Sequence, residues 1–344
     1  MRAAVLSAHG GLEVVGYTDS LPVPEPKAGE VRLKMQSAAL NRLDLFVRVG
    51  WKGLELSFPH VIGSDGAGII DALGDGVTGV SVGDPVAVDP SIYPNPRALH
   101  TDYENQDRIA IMGEHHSGFA AEYVCVPAYN VVKMPAGFSF HEAAGAGLVY
   151  VTAWHSLITR GGLRASDTVL IVGAGGGVNT ASLQIAKLAG ARVIVVGSNE
   201  AKCAQAIALG ADDVINREAT PDWSKEAFKL TEKRGADVVV DNVGAQTLLM
   251  SMRAVRLGGK ILIVGGTSGY GFELPVNLLF AKQIALIGST MGTHKDYVQV
   301  MRLVFEGKLK AVVGKVFPLA EAREAQRTLE AFDVFGKVVL DVQG

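Results

Sequence analysis

The run Gly173-Ala174-Gly175-Gly176-Gly177 follows an apolar stretch, Thr168-Val169-Leu170-Ile171-Val172, and leads into helical spacing from Ala181 to Ala189. Strand, glycine turn and helix in that order suit the pyrophosphate of a dinucleotide. Glycines let the backbone approach the phosphates, and a helix N-terminus offers free N–H groups and partial positive charge. The expected contacts are Gly175, Gly176, Gly177 and Val178. A glycine-rich turn that binds nothing is the plainer alternative; the flanking strand and helix weigh against it.

About 20 residues further on, the end of the next strand reports which dinucleotide is preferred. That strand, Arg192 to Val196, runs into Gly197-Ser198-Asn199 with no acid at its tip. A carboxylate there would hold both ribose hydroxyls; its absence removes repulsion toward a 2′-phosphate. Ser198 can donate a hydrogen bond, and Lys202 and Arg217 can add charge-assisted ones. Glu200 is close enough to serve as the missing acid, and either cation alone reads equally well as surface charge. Together these residues favour NADPH over NADH.

The elements that position such a site change character along the chain. From Met1 to about Phe119 the pattern is strand-like, with alternation at Val31-Arg32-Leu33-Lys34-Met35 and punctuation by Pro22, Pro24, Pro26, Pro85, Pro90, Pro94 and Pro96. A mostly antiparallel, barrel-like domain is predicted. After Asp167, strands alternate with helices: Thr168 to Val172, Arg192 to Val196, Asp213 to Asn216, Ala236 to Val240, Lys260 to Val264 and Ile284 to Ile287. Near-continuous apolar strands with helical crossovers predict a doubly wound parallel sheet.

With 344 residues and a net charge of −3, the chain has room for about two domains and no basic stripe for nucleic acid or anionic membranes. No apolar run approaches the roughly 18 residues of a transmembrane helix, and the N-terminus leads into Ser7-Ala8-His9-Gly10 too soon for a signal peptide. Two distant cysteines, Cys125 and Cys203, exclude a disulfide scaffold and favour a reducing, cytoplasmic setting.

Ala39-Leu40-Asn41-Arg42-Leu43-Asp44, then Gly63-Ser64-Asp65-Gly66-Ala67-Gly68, then the glycine turn form an ordered series. It resembles the medium-chain dehydrogenase/reductase superfamily over nearly the whole chain. The resemblance implies an α/β fold: a GroES-like β-barrel-type catalytic domain over 1–148 and 294–344, and a Rossmann domain over 149–293. Zinc alcohol dehydrogenases of that superfamily carry Cys at the position of Asn41, His at that of Ser64 and their third ligand near Leu148. Asn, Ser and Leu do not make a tetrahedral zinc site. The segment from Asp89 to Gly113, where relatives hold a structural zinc with four cysteines, contains no cysteine. No zinc is therefore expected.

The resemblance also implies roles by position. Thr152 falls beside the nicotinamide. Asn242 in Asp241-Asn242-Val243-Gly244, Val264-Gly265-Gly266, and Ser289-Thr290 line the cofactor. Lys202 stands where NADPH-using relatives carry a basic residue, and Lys337 lies in a closing loop near the cofactor, Phe335-Gly336-Lys337, and is expected to bind it. Asn179 replaces the glycine that usually lets helix and strand pack closely. Asp65 stands where zinc enzymes carry an acid near the metal.

Without a Lewis acid, an alkoxide is hard to stabilise, whereas a quinone or α,β-unsaturated carbonyl spreads the incoming charge and needs only hydrogen bonds. The expected activity is hydride transfer from NADPH to such an acceptor, with the Asn41 amide orienting the cofactor or donating to the substrate oxygen. Turn capping is the bland role for Asn41. Arg42, Phe46, Arg48 and Trp51 are candidate pocket residues, and Tyr93, Tyr150 or water candidate proton donors. The eight histidines show no ligand spacing, and His155 is expected at a helix start in a structural role. Two alternatives stay open: an alcohol or aldehyde dehydrogenase with an altered site, and a non-catalytic NADPH-binding protein. A homodimer or homotetramer is expected through the apolar edge strand near Ile284-Ala285-Leu286-Ile287.

Overall fold

The computed structural model describes residues 1–94 and 109–344. Residues 95–108, which include Asn95 to His100 of the cysteine-free lobe, lie outside the described residues. The chain divides into two compact units, Met1–Leu148 with Thr293–Gly344, and Val149–Gly292.

In the first unit the strand Glu30–Leu40 is the organiser. Its alternation buries Val31, Leu33 and Met35 in one core with Leu6, Ile62, Ile70 and Phe119. It pairs antiparallel with Asp65–Leu73 and, on its other side, with Tyr123–Pro127 and Lys337–Asp341. The sheet continues through Pro85–Val88 to Val131–Lys133 on one flank, and through the parallel strand Val313–Pro318 on the other. Register then sets which residues become neighbours. Ala39 lies opposite Asp65, and Leu40 lies opposite Val338. One residue further along, the neighbouring strands bring Asn41, Asp65 and Lys337 to the same end of the sheet.

The second unit holds a parallel sheet of six strands in the spatial order Asp213–Asn216, Arg192–Gly197, Thr168–Val172, Ala236–Asp241, Val255–Ile263, Ala285–Gly288. The order reverses at Thr168–Val172, the doubly wound arrangement predicted from the apolar strands. Trp223 is buried against this sheet with Ile215, Ala227 and Met252. Asp237 ties the sheet at its lower end, accepting from the Thr168 N–H and pairing with Arg234 and Arg256. Burial opposes its ionisation, yet Arg234, Thr168 and Arg256 hold the carboxyl well below the usual range.

Three local expectations are corrected. The helix after the glycine turn spans Gly177–Leu188, starting four residues earlier than the apolar spacing indicated, because small residues begin it. The strand expected from Lys260 begins at Val255, since its polar first half still pairs with a neighbour at Ala236. His155 opens the π-helix His155–Arg160, which continues directly from the helix Phe140–Trp154 and is not a separate helix start after a loop. No helix among the described residues is long and apolar enough to cross a membrane.

Candidate functional site

In the second unit, the dinucleotide candidates share one edge because the strands are parallel. Val172 is level with Val196 and Asp241, Asp241 with Ile263, and Ile263 with Gly288. The residues just past these strand ends therefore converge: Gly173 to Val178, Ser198, Asn242, Val264 to Gly266, Ser289 and Thr290. Ligands of open α/β sheets bind at this edge, outside the carboxyl ends at the point of reversal.

The glycine turn is built for close approach. Gly173 has φ of +106°, and a Cβ there would meet the Asn179 amide at 2.4 Å. The helix Gly177–Leu188 has no side-chain cap at Gly176, so its first N–H groups face a ligand position. Asn179, the departure from the glycine pattern, has a role that the motif does not foretell. Its amide donates to the Val172 carbonyl at 3.3 Å and accepts from Asn242 at 2.8 Å, tying the turn to the neighbouring strand end. Ser289 Oγ is buried with no hydrogen-bond partner among the described residues. A buried hydroxyl seldom goes unmatched in a finished site, so this edge fits a bound dinucleotide. Thr152 is buried on the helix Phe140–Trp154 of the same chain segment.

At the ribose end, Arg217 is exposed and its N–H donates to the Gly197 carbonyl at 3.0 Å. That bond sets Arg217 beside the strand tip. Asn199 caps the helix Glu200–Ala208 by accepting from the Lys202 N–H, which places Lys202 in its first turn. Glu200 is exposed, with Asn216 at 3.5 Å.

The first unit holds a second constellation. Lys337 opens its strand rather than lying in a loop, and its ammonium is buried between Asn41 Oδ1 and Asp65 Oδ2, the latter at 3.0 Å. Asn41 Nδ2 donates to Ser64 Oγ at 2.9 Å and to Asp65 Oδ2 at 2.8 Å. Asp65 Oδ1 accepts from the Leu148 N–H. All of these side chains are at most 7% exposed. Gly147 makes the last contact feasible, since a Cβ there would fall 2.2 Å from Asp65 Oδ1.

Asp44 supports this arrangement from below. It accepts from the Asn41 and Gly63 N–H groups, each at 2.7 Å, and from the Ser64 hydroxyl at 3.3 Å. Burial pushes its carboxyl up to about 6, against the two N–H groups and the Lys337 charge, which favour ionisation.

The network bears on one of the two roles expected of Asn41, donation to a substrate oxygen. Both amide hydrogens are given to Ser64 and Asp65, and the oxygen accepts from Lys337, so the amide has no donor left for a substrate. The assignment of amide nitrogen and oxygen is unambiguous, because an ammonium only donates. The same geometry tests a metal. Zinc wants thiolate, imidazole or carboxylate donors; these positions hold a committed amide, a hydroxyl already donating to Asp44, an alkyl side chain and a resident ammonium. The residues do not fit zinc. Among the described residues no group of three or more His, Cys, Asp and Glu could hold a metal ion.

The pocket candidates divide. Arg48 is buried and bonded to Gln326 and Glu330, so it joins two helices instead of lining a pocket. Arg42 stacks on Phe332 with 3.3 Å to the ring centre, and burial lowers its guanidinium to about 10. Trp51 is 43% exposed. The two tyrosines, Tyr93 and Tyr150, are buried, and burial raises both hydroxyls above their ordinary range. Sequence reading missed His294, whose Nδ1 lies 2.9 Å from buried Asp89. The partners are 205 positions apart, and no spacing could have signalled them.

Comparison with known proteins agrees with both halves. The alcohol dehydrogenase GroES-like domain family matches residues 27–136, and the zinc-binding dehydrogenase family matches residues 177–306. A crystal structure titled as an NAD-dependent alcohol dehydrogenase superposes with a TM-score of 0.94 at 45% identity, covering 99% of each chain. An acryloyl-coenzyme A reductase from Metallosphaera sedula is 33% identical over 99% of both chains. The quinone oxidoreductase of Homo sapiens is 27% identical over 99% of this chain and 97% of its own. The chain is an oxidoreductase belonging to the medium-chain dehydrogenase/reductase superfamily.

Proposed function

We propose that this protein is a metal-free reductase that uses NADPH to reduce a quinone or an α,β-unsaturated carbonyl. One observation carries the reading. The three positions that hold metal ligands in zinc relatives are closed into a hydrogen-bonded network around the Lys337–Asp65 pair. Such a site offers fixed hydrogen bonds and one buried positive charge. That suffices for an acceptor that delocalises negative charge, and serves poorly for generating a localised alkoxide. Relatives named as a quinone oxidoreductase and an acryloyl-coenzyme A reductase support the substrate class.

Bound NADPH supplies the hydride. The chain's part is to hold its pyrophosphate at the N-terminus of Gly177–Leu188 and to meet the 2′-phosphate with Ser198, Lys202 and Arg217. The first unit keeps a buried polar site, with Asn41, Ser64 and Asp44 holding Asp65 and Lys337 in place. Small acceptors are the partners; nucleic acid and membrane are not.

The test is a panel of quinones, enones and simple alcohols, run before and after dialysis against a chelator. NADPH-driven reduction should exceed NADP-driven alcohol oxidation by orders of magnitude and survive chelation. Alcohol oxidation that depends on about one zinc per chain, as a 45% identical structure titled as an alcohol dehydrogenase makes worth testing, would overturn the reading. NADPH binding with no turnover of any substrate would leave a non-catalytic protein.

We also propose self-association through the second unit. The strand Ala285–Gly288 is the sheet's last, and Leu257, Tyr270, Val276 and Phe280 are each more than half exposed. An apolar strand edge pairs readily with its symmetry mate. Sedimentation at micromolar concentration should show a dimer or tetramer, and Ile287→Lys should shift it toward monomer. A monomer in the unaltered protein would count against the proposal.

A further inference from the structure

We propose that Asp241 is a positioning residue for the dinucleotide: its buried carboxylate fixes the middle one of three loops at the cofactor edge, and both flanking loops are hydrogen-bonded to that one. The proposal rests on the dinucleotide part of the reading above and on the second unit alone, and holds for any acceptor.

Asp241 ends the strand Ala236–Asp241 and is 0% exposed. A carboxylate is costly to bury unless its lone pairs are met. Here they are met by groups from the segment that follows. The Val243 and Gly244 N–H groups donate to Oδ1 at 2.9 and 3.0 Å. The Thr247 hydroxyl lies 2.8 Å from both oxygens, and the Ser251 hydroxyl donates to Oδ2 at 2.7 Å. These bonds bend the chain directly after the strand, so a side chain with no exposed surface sets the backbone beside Asn242. Gly244 completes the bend with φ of +88°; a Cβ there would stand 3.0 Å from Gly266 Cα and from the Gly269 carbonyl oxygen.

Both neighbours lean on this loop. On one side Asn242 Nδ2 donates to Asn179 Oδ1, and Asn179 Nδ2 donates to the Val172 carbonyl that precedes the glycine turn. On the other, Ser268 holds the Val243 carbonyl twice, through its N–H at 2.8 Å and its hydroxyl at 2.7 Å. The loops after three adjacent strands, Thr168–Val172, Ala236–Asp241 and Val255–Ile263, are thereby braced across the edge. Unbraced loops sample other shapes, and only the fraction in the binding shape is open to a ligand. The carboxylate keeps that fraction high, so the edge is preorganised before the nucleotide arrives. Asn179 stands where the motif has glycine, and a glycine would bring no side chain to the brace.

The experiment measures NADPH and NADH binding to the full chain, by calorimetry and stopped-flow fluorescence, in Asp241→Asn, Thr247→Val, Thr247→Ser and Asn179→Gly. Thr247→Val keeps the side-chain shape and removes one hydroxyl, so it reads the brace if Asp241→Asn fails to fold. It should raise the Kd of both nucleotides about ten-fold, slow association by a similar factor and leave dissociation nearly unchanged. Thr247→Ser should recover most of that loss. The ratio of the two Kd values should stay constant, since Ser198, Lys202 and Arg217 gather at the tip of a different strand, Arg192–Gly197. Asn179→Gly combined with Thr247→Val should cost less than the sum of the two singles, because both act through the same brace.

Lower melting temperatures with unchanged Kd in every variant would make the network a purely structural one and overturn the proposal. Strictly additive losses would also overturn it, and so would a Kd rise carried by faster dissociation alone, the mark of a lost direct contact. Failure of the dinucleotide reading looks different: the unaltered protein would bind neither nucleotide.

Discussion

Asp65→Ala is expected to destabilise the first unit by about 3–5 kcal/mol, the usual cost of stranding one member of a buried ion pair. The substitution removes more than a charge. It leaves the Lys337 ammonium paired only with an amide oxygen, removes the bond from the Leu148 N–H to the carboxylate, and strips one Asn41 hydrogen of its acceptor. Each of those groups is buried and cannot recover its bond from solvent. Urea unfolding of the single and double variants measures the effect. Lys337→Met added to Asp65→Ala should return part of the lost stability, giving a coupling energy of roughly 1–3 kcal/mol. Additivity within about 0.5 kcal/mol would mean that the two side chains do not interact as the geometry shows. The distinction matters for function, since this pair also defines where the positive charge stands.

NADPH binding should collapse when the cations at the second strand tip are removed together. Arg217→Ala with Lys202→Ala should raise the NADPH Kd about a hundred-fold or more, if each charge-assisted bond contributes about 1.5–3 kcal/mol. NADH, lacking the 2′-phosphate, should bind almost as before. The warrant is the strand end: the Arg217 N–H holds the Gly197 carbonyl, Lys202 begins the next helix, and no carboxylate occupies the tip. Calorimetric titration of both nucleotides decides it. Equal or tighter NADH binding by the unaltered protein would assign the ribose to Glu200, in keeping with the solved relative titled as NAD-dependent.

The parts of this protein that were legible in the chain are those whose physics is local. A buried parallel strand must be apolar along its length, and a tight turn at positive φ wants glycine. These rules revealed the sheet and the glycine turn, while Asn242, Val264 and Ser289 were implied by the family resemblance; the fold gathers them with Ser198 because parallel strands bring their ends together wherever they lie in sequence. Asn179 shows the limit. By pattern it was an imperfection; only the fold reveals that its amide joins Val172 to Asn242.

The reacting end was legible only as a set of absences. Asn41, Ser64 and Leu148 lack the donor chemistry of a zinc site, and say nothing about what stands at these positions instead. That answer depends on Lys337, which lies 272 positions from Asp65 and 296 from Asn41. The register of three strands makes them neighbours: Glu30–Leu40 pairs with Asp65–Leu73 on one side and with Lys337–Asp341 on the other. A lysine in a chain reads as solvated charge, because burying one is costly unless a partner neutralises it. The sequence by itself determined the two-domain architecture and the dinucleotide edge. The tertiary structure alone decided that a buried ammonium sits among Asn41, Ser64 and Asp65, because the carboxylate that makes its burial stable is brought to it by sheet register and not by any local pattern.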